Sequence, residues 1–257
     1  MKLKKNLKIG ITGSKGFIGS HIVAVLKNQD VKLSFFDLPK NDLLKPFKNL
    51  ENFVKNKDVI IHIAAINRGA DTEVIAGSVV ATYNLISAIG KCGSKTKLIF
   101  LSSIQAETET LYGKSKRLAE RMLKDLSMRI KIPVAIFRLT NVFGEGCKPF
   151  YNSVVATFCH QVAKEEKLNV NPNDKKFKFL YIGDLVKIII KELAAKRKNY
   201  FYLRTISSSN EISVPDLAKL ISSFKKGKQQ LKSLSAGRQG KFHKNLYKTY
   251  LSYKNEK

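Results

Sequence analysis

Cysteine is scarce in this chain, with three residues among 257: Cys92, Cys147 and Cys159. Their odd number excludes a fully paired disulfide framework, and their spacings fit no arrangement of metal ligands. We therefore interpret them as reduced thiols of a cytosolic protein. The sequence predicts no metal site.

Long apolar segments are missing as well. A membrane-spanning helix needs ~20 predominantly apolar residues, and the longest run here, Val59–Ile66, is interrupted by His62. The basic start, Met1–Lys8, leads straight into a glycine-rich segment without the apolar core or the cleavage site of a signal peptide. These absences predict a cytoplasmic protein without a membrane span, and the 44% hydrophobic content is typical of a folded globular domain.

Acidic residues are outnumbered, with 20 Asp and Glu against 47 Lys and Arg, which gives a formal charge of +27. Such an excess can indicate nucleic acid, an anionic membrane surface or an anionic substrate as the partner. However, 39 of the basic residues are lysines scattered over the chain, whereas nucleic-acid readers rely on arginine for bidentate contacts. We therefore favour compositional bias over a nucleic-acid site. The tail 225–257 is the exception, with ten basic residues and one acid, Glu256.

Apolar runs alternate with helical patterns over the first half of the chain. The runs predict strands over residues 7–12, 31–37, 58–65, 97–103 and 134–140. Because these strands lack polar alternation, they predict a parallel sheet covered on both faces, in an α/β doubly wound (Rossmann) fold. The ligand site of such a sheet lies at the carboxyl ends of its strands. Gly13, Ser103 and Asn141 all fall at such ends.

The regular alternation of apolar runs and helical patterns ends after Leu139. The second half predicts helices over 151–166, 184–196 and 214–224, the last of the chain, and short strands over 168–171 and 177–182. This pattern predicts a small mixed C-terminal substrate-binding cap. We divide the chain into a nucleotide-binding core (1–145), a cap whose elements partly return to the core (146–224) and a basic tail (225–257).

The segment TGSKGFIGS places Gly13, Gly16 and Gly19 directly after a strand and at the start of a helix. Glycine lets the backbone turn tightly and approach a pyrophosphate at the helix N-terminus, so the loop predicts dinucleotide binding. Asp37, at the end of the second strand, can accept hydrogen bonds from the adenosine ribose and would repel a 2′-phosphate. Lys15 acts in the opposite direction, because a cation in the loop could meet that phosphate. The balance favours NAD over NADP.

The segment LYGKSK holds Tyr112 and Lys116 four residues apart on a predicted helix, where both side chains point the same way. On spacing alone they are either a catalytic pair or two polar residues on a solvated face.

The motifs TGSKGFIGS, HIAA, LSS, YGKSK, RLTNVFG and YIGDLV occur in the order found in the extended short-chain dehydrogenase/reductases, and the chain resembles this NAD-dependent epimerase/dehydratase family over about residues 7–200. The resemblance implies catalysis by Ser103, Tyr112 and Lys116, with Ser103 chosen over Ser102. We expect the lysine cation and the nicotinamide to lower the pKa of Tyr112 from ~10. The cofactor-binding residues implied are Gly13, Lys15, Gly16, Phe17, Ile18, Gly19, Asp37, Ala64, Ala65, Tyr112 and Lys116.

Within the family, 4,6-dehydratases carry an Asp-Glu pair after the catalytic hydroxyl residue, and this chain has Ile104 and Gln105 there. Glu107 and Glu109 come too late, so ketone reduction and 4-epimerisation remain. The segments AAINR, SSIQA, FGEGCKPFYNSVVATFCHQVAKEEKLNVN and LYKTYLSY resemble the reductase portion of a capsular polysaccharide enzyme family. That family reduces the 4-keto group of a UDP-2-acetamido-2,6-dideoxy-hexulose on the route to UDP-N-acetyl-L-fucosamine.

This closer resemblance implies NAD or NADP in reduced form, a UDP-linked amino-sugar substrate and a homodimer. A cupin epimerase domain follows LYKTYLSY in that family, whereas this chain stops four residues later, so we expect a separate cupin protein or no such epimerisation. The alternatives are a nucleotide-sugar 4-epimerase and a catalytically silent NAD- or RNA-binding module. The expected substrate-binding residues are Arg68, Ser103, Asn141, Lys148 and Asn152.

Overall fold

The computed structural model describes residues 2–45, 48–170, 172, 174–196, 199–227 and 239–255. The chain forms two compact units. The first comprises Met1–Leu139 and Val186–Ile206, and the second comprises Thr140–Leu185 and Ser207–Lys257. The core and the cap were predicted to divide after residue 145, so the observed boundary lies earlier in the chain, and the segment 186–206 belongs to the first unit.

Six parallel strands form the sheet of the first unit. They are β1 (Leu7–Thr12), β2 (Val31–Phe36), β3 (Val59–His62), β4 (Lys97–Ser103), β5 (Val134–Leu139) and β8 (Phe201–Ile206). Their spatial order is β2-β1-β3-β4-β5-β8, which confirms the doubly wound fold. The sequence analysis did not predict β8, an edge strand whose side chains are mostly half-buried or exposed.

Helices cover this sheet, and apolar side chains fill the space between them. The helices are α1 (Phe17–Leu26), α2 (Lys48–Val54), α3 (Asp71–Ile75), α4 (Ala81–Lys91), α5 (Leu111–Ile130) and α7 (Ile182–Ala194), the last of which begins in the second unit. The core residues include Val54, Ile60, Leu85, Leu98 and Leu123, which are fully or almost fully buried. The chain order of strand and helix therefore follows the predicted alternation.

A π-helical turn, Ala76–Val80, joins α3 to α4 into one helical stretch, Asp71–Lys91. By length and composition this 21-residue stretch could cross a membrane, which the sequence analysis did not anticipate. However, 56% of its most apolar window is buried inside the protein, and Leu85 and Ile89 are fully buried. Core helices of folded domains have the same apolar character, so we assign the stretch to the core.

Among the described residues, the second unit contains a three-stranded sheet and three more helices. Its strands are β6 (Asn141–Phe143), β7 (Lys176–Tyr181) and β9 (Glu211–Ser213), and its helices are α6 (Val154–Ala163), α8 (Val214–Ser223) and α9 (Gly240–Lys254). Strand β7 pairs parallel with β6 and antiparallel with β9. The strand predicted over 168–171 is not formed by residues 168–170, and Asn171 lies outside the described residues. The apolar side chains of the second unit, among them Phe143, Val155 and Leu217, form a second core, and Leu168 and Val170 pack against it from a loop.

Helix α9 corrects two predictions. The helix 214–224 is not the last one, and part of the predicted basic tail is a packed helix rather than an extension. The sequence analysis weighed the basic residues of this segment and not its apolar spacing. The aromatic and aliphatic side chains of the helix form one apolar face. The buried members of that face are Phe242, Leu246, Tyr247, Tyr250 and Tyr253. The tail residues 228–238, 256 and 257 lie outside the described residues.

Candidate active site

The glycine loop between β1 and α1 requires glycine at two positions, at Gly13 for its backbone conformation and at Gly19 for close packing. Gly13 has a φ of +77°, and a Cβ there would lie 2.7 Å from the backbone nitrogen of Ala64. A Cβ at Gly19 would overlap the carbonyl oxygen of Gly13. The loop therefore lies directly against both the start of α1 and the segment after β3.

The N-terminus of α1 fits a phosphate group. Gly16 is its N-cap residue, and no side chain occupies the cap position. The first turn, which includes Phe17 and Ile18, contains no acid. A Cβ at Gly16 would meet only the Gly13 carbonyl oxygen, at 3.5 Å, so the loop is open at this point. The backbone N–H groups and the positive end of the helix dipole form an anion site that suits a dinucleotide pyrophosphate.

Asp37, immediately after β2, is held on the rim of the glycine loop. Its Oδ1 accepts a hydrogen bond from the backbone nitrogen of Ser14 at 2.8 Å, and the Ser14 hydroxyl donates to Oδ2. The Lys15 ammonium donates to the carbonyl oxygen of Leu38 at 3.0 Å. Both residues that bear on the NAD-versus-NADP choice therefore lie at the ends of β1 and β2. The role of Ser14 was missed, because a serine in a loop carries no distinctive sequence signal.

A buried hydrogen-bond chain through His62 connects β1, β3 and α4. The Thr12 hydroxyl lies 2.7 Å from His62 Nδ1, and His62 Nε2 lies 3.2 Å from the Thr82 hydroxyl. The Thr82 hydroxyl itself donates to the carbonyl oxygen of Ser78, so it accepts from Nε2 and fixes the proton of the imidazole there. Burial, reinforced by the nearby Lys116 cation, lowers the pKa of His62 to about 3. The ring is therefore neutral and serves to position these elements.

The segment after β3 holds three residues of the predicted site. The backbone nitrogen of Ala64 donates to the carbonyl oxygen of Thr12 at 3.2 Å, which fixes this segment beside the glycine loop. Ala65 and Arg68 are exposed. Sequence reasoning placed Ala64 and Ala65 with the cofactor, and the structure brings this segment and the loop together at the carboxyl ends of β1 and β3.

Two serines end β4, and the structure distinguishes them. Ser102 is buried, and its hydroxyl donates to Glu120 Oε1 at 2.6 Å. Ser103 is half-buried, and its hydroxyl accepts from the backbone nitrogen of Gln105 at 3.2 Å as the cap of the 3₁₀ turn Ile104–Glu107. The proton of Ser103 is left for another acceptor, whereas Ser102 has already donated its own. This difference supports the choice of Ser103 as the serine of the site.

Close packing brings the start of α5 to the turn that follows Ser103. Thr110 caps α5 by accepting from the backbone nitrogen of Gly113 at 3.1 Å. A Cβ at Gly113 would overlap the carbonyl oxygen of Gln105, so only glycine lets the helix approach this turn. Tyr112 therefore lies in the first turn of a helix that is fixed against the end of β4. Sequence reasoning did not consider Gly113, although a glycine directly after the proposed catalytic tyrosine is visible in the sequence.

Lys116 lies one turn after Tyr112 and is buried, with an exposed fraction of 2%. Its ammonium nitrogen lies 5.0 Å from the centre of the Phe100 ring and 5.8 Å from that of Tyr112. Burial lowers the pKa of Lys116 to about 8, although the Glu120 carboxylate acts in the opposite direction. The lysine is thus a cation near neutral pH.

In the protein alone, burial raises the pKa of Tyr112 to about 12. The charge of Lys116 does not outweigh desolvation, which disfavours the phenolate. The expected lowering by the lysine and the nicotinamide together stays a prediction. At neutral pH Tyr112 is a neutral phenol with a proton to donate, which is the state that a general acid needs.

An ion-pair network behind the site ties α5 to the sheet. Arg138 on β5 contacts both carboxylate oxygens of Glu120, at 2.6–3.2 Å, and reaches Glu107 at 2.7 Å. Glu120 also accepts from Ser102, the neighbour of Ser103. Sequence reasoning missed this network, although Glu120 follows Lys116 at the same i+4 spacing by which Lys116 follows Tyr112.

The other predicted substrate residues lie in the second unit. Asn141 begins β6, and its amide donates to the carbonyl oxygen of Lys178 at 3.3 Å. Lys148 is exposed, with its ammonium nitrogen 5.7 Å from the centre of the Tyr151 ring. Asn152 is exposed and directly precedes Ser153, the N-cap residue of α6. Lys148 and Asn152 thus share one loop of the second unit, whereas Arg68 and Ser103 belong to the first unit.

Comparison with known proteins agrees with this geometry. Residues 9–201, which include the glycine loop, Ser103, Tyr112 and Lys116, match the NAD dependent epimerase/dehydratase family. The chain belongs to this family. The resemblance inferred from the motifs is thereby confirmed, as is the assignment to an NAD(P)-dependent enzyme class.

Two of its relatives are at least 30% identical to it in sequence. The chain is 35% identical over 250 residues to the UDP-2-acetamido-2,6-beta-L-arabino-hexul-4-ose reductase of Pseudomonas aeruginosa, and the match covers 96% of this chain. It is 30% identical, with a TM-score of 0.78, to the capsular polysaccharide assembling protein CapF from Staphylococcus aureus, and the match covers 95% of this chain. The chain spans 65% of the length of each relative.

Similarity of fold extends further than similarity of sequence. A UDP-glucose 4-epimerase from Thermotoga maritima, solved with UDP-glucose, superposes with a TM-score of 0.81 at 18% identity. That match covers 96% of this chain and 98% of the epimerase. At this identity the likeness establishes the shared fold and no more.

Proposed function

We propose that this protein reduces the 4-keto group of a UDP-2-acetamido-2,6-dideoxy-hexulose with NADH or NADPH, in the synthesis of capsular or O-antigen polysaccharide precursors. The observation that carries the proposal is the 35% identity, over 96% of the chain, to a reductase named for such a substrate. The placement of Ser103, Tyr112 and Lys116 in one unit, around the end of β4 and the start of α5, supports it.

The residues of the first unit suit a dinucleotide. The N-terminus of α1 and the loop glycines Gly13, Gly16 and Gly19 would hold the pyrophosphate, and Asp37 would accept hydrogen bonds from the adenosine ribose. Lys116 would donate to the ribose next to the nicotinamide. The segment of Ala64 and Ala65 would line the cofactor between these two ends. When bound, the reduced nicotinamide supplies a hydride for C4 of the sugar.

Ser103, Tyr112 and Lys116 then each have one task in the reaction. Ser103 donates a hydrogen bond to the 4-keto oxygen and holds it in place. Tyr112 transfers its phenolic proton to that oxygen as the C4 carbonyl gains the hydride, so the product is a secondary alcohol. Lys116, a cation below about pH 8, stabilises the phenolate that remains until a proton returns from solvent.

The acids near the site have other partners, which argues against dehydration. Glu107 pairs with Arg138 at 2.7 Å, and Glu109 pairs with Arg117 at 2.8 Å. Both carboxylates are exposed and engaged by arginines, which makes them poorer candidates for the extra acid or base that elimination of water from the sugar requires.

We further propose a cytoplasmic homodimer. Large apolar side chains support the dimer, because Tyr83 on α4 and Leu118 on α5 are 58% and 47% exposed. The two helices pack against each other, and apolar side chains exposed on neighbouring elements can form a protein interface. Sedimentation of the purified protein measures this directly, and a monomer at micromolar concentration would contradict it.

Cofactor choice provides one prediction. Replacing Asp37 with alanine is expected to raise kcat/KM for NADPH relative to NADH, because a carboxylate that repels the 2′-phosphate has been removed. Measuring both cofactors with the same sugar gives the ratio. Ser14→Ala is the matched control, because it removes one partner of Asp37 and keeps the charge. An unchanged ratio in Asp37→Ala would mean that Asp37 does not face the ribose.

Substrate binding provides another prediction. Replacing Lys148 with alanine is expected to raise KM for the UDP-sugar by about ten- to a hundredfold, which corresponds to a charge-assisted hydrogen bond of roughly 1.5–3 kcal/mol. The Kd for NADH should not change. Lys167→Ala, which removes another exposed lysine of the second unit, is the control. Equal weakening of sugar and cofactor, or an unchanged KM, would place Lys148 outside the substrate site.

The direct experiment incubates the purified protein with NADH or NADPH and a panel of UDP-4-keto-sugars. The expected result is loss of absorbance at 340 nm together with a product two mass units heavier than the substrate. Consumption of no reduced cofactor with any member of the panel would contradict the proposed reduction.

A further inference from the structure

The loop 144–152 carries Lys148 and Asn152. Gly144 and Gly146 flank Glu145 with φ angles of +155° and +74°. The backbone nitrogen of Cys147 donates a long hydrogen bond, 3.4 Å, to the carbonyl oxygen of Gly144, and a Cβ at Gly144 would overlap Ile182, whereas one at Gly146 would meet no atom within 4 Å. Because glycine has many backbone arrangements available, contacts with neighbouring elements help to select the observed one.

Helix α9 supplies one such contact through Lys248. Its ammonium nitrogen lies 2.6 Å from Glu145 Oε1 and donates to the Tyr181 hydroxyl at 3.1 Å. The Tyr181 hydroxyl in turn donates to the Glu145 carboxylate at about the same distance from both oxygens, 3.0 and 2.9 Å. The three groups form a closed triangle that holds Glu145 between α9 and the end of β7.

A second contact comes from the last turns of α9. The Tyr253 hydroxyl donates to the backbone carbonyl oxygen of Cys147, and the Tyr253 side chain is almost fully buried. Its ring packs edge-on against His160, whose ring packs edge-on against Phe150. The loop is therefore held at three points, Glu145, Cys147 and Phe150, that surround Lys148.

We infer that α9 is a positioning element for the UDP-sugar, with Lys248 and Tyr253 fixing the loop from which Lys148 and Asn152 contact the substrate. This inference rests on the proposed function. Lys248 and Tyr253 act through the loop and do not touch the sugar themselves. Helix α9 lies beyond residue 201, where the match to the family model ends.

The charges of the Lys248–Glu145 pair persist across the neutral range. The hydrogen bond to Glu145 raises the pKa of Lys248 to about 12. Burial acts to raise the pKa of Glu145, but the hydrogen bonds from Lys248 and Tyr181 outweigh it and lower that pKa. The pair is therefore fully charged from about pH 5 to about pH 10, given the ordinary pKa values of the two groups. Assays at neutral pH therefore test the loop with the Lys248–Glu145 ion pair intact.

Hydrogen exchange of the loop amides tests, without any substrate, whether Lys248 and Tyr253 of α9 hold the loop. Lys248→Met is expected to speed exchange in peptides covering residues 144–152 by about three- to tenfold, since a partly buried charged contact is lost. Tyr253→Phe, which removes only a hydroxyl, should act in the same direction. Lys248→Arg keeps the charge and should restore most of the protection. Lys244→Met, on the same helix, is the matched control and should leave the loop unchanged.

Kinetics then test the link to the sugar. Lys248→Met is expected to raise KM for the UDP-4-keto-sugar severalfold while kcat and the Kd for NADH stay close to the wild type, and Lys248→Arg should recover the KM. Unchanged loop exchange in Lys248→Met, or equal loss of sugar and cofactor affinity, would overturn the inference. A wild-type protein that reduces no UDP-4-keto-sugar would instead refute the proposed function, and the exchange data would still decide whether α9 holds the loop.

Discussion

Replacing Tyr112 with phenylalanine is expected to lower kcat by about a hundred- to ten-thousandfold, the range by which a positioned general acid accelerates a reaction. The change removes only the hydroxyl, whose proton passes to the 4-keto oxygen. The ring keeps its place near Lys116, whose ammonium lies 5.8 Å from the ring centre. The Kd for NADH should therefore stay within a few-fold of the wild type. Stopped-flow or steady-state loss of NADH absorbance measures the rate, and fluorescence titration measures the affinity.

Tyr83→Phe is the matched control for this prediction. Tyr83 is 58% exposed on α4, so removal of its hydroxyl should change neither rate nor affinity. A Tyr112→Phe variant with a near-normal rate would remove Tyr112 from the catalytic role. A variant that fails to bind NADH would show that the hydroxyl supports the cofactor site rather than the proton transfer.

Replacing Arg138 with methionine is expected to lower the free energy of unfolding by about 3 kcal/mol, as happens when one partner of a buried ion pair is removed. The Glu120 side chain is only 5% exposed and the Arg138 side chain 16%, so the change strands a buried carboxylate. Glu120 also lies one turn after Lys116, so the loss should loosen α5 where it carries the proposed catalytic pair. Urea unfolding followed by circular dichroism measures the effect.

Two further variants separate the buried charge from the loss of packing. Arg138→Met combined with Glu120→Gln should recover much of the stability, because no unpaired buried charge remains and the amide oxygen can still accept from Ser102. Arg129→Met removes one partner of an exposed pair with Asp125 and should cost less than about 1 kcal/mol. Equal destabilisation by Arg138→Met and Arg129→Met would contradict a structural role for the buried pair.

The parts of the site that follow strands could be predicted from the sequence. Parallel strands bring their carboxyl ends to one edge, so the sequence predicts that Gly13, Asp37 and Ser103, at the ends of successive apolar runs, lie at that edge. The glycine spacing also predicts a tight loop, and the φ of Gly13 and the close approach at Gly19 agree with it, while the role of the loop in binding a cofactor stays a prediction. Local chemistry and topology were enough for these positions.

The remaining features depend on contacts between distant segments. Helix α9 was read as a basic tail, because its buried aromatic face acquires meaning only when the second core is in place. The raised pKa of Tyr112 depends on burial, which spacing along a helix does not reveal. The Arg138–Glu120 pair joins residues that are 18 positions apart, and neither residue type indicates burial on its own. Desolvation and tertiary pairing are the two effects that the sequence patterns did not report.

Isotope transfer tests the central claim most directly. The purified protein is incubated with NADH carrying deuterium at the transferable position of C4 and with a UDP-2-acetamido-2,6-dideoxy-4-hexulose, and the nucleotide sugar is analysed by mass spectrometry and NMR. The proposed reduction predicts one deuterium at C4 of the product for each NADH consumed, and incorporation slowed in Tyr112→Phe to the same extent as kcat. An epimerase returns the hydride to the same sugar, so a rearranged sugar without deuterium and without net NADH consumption would contradict the account.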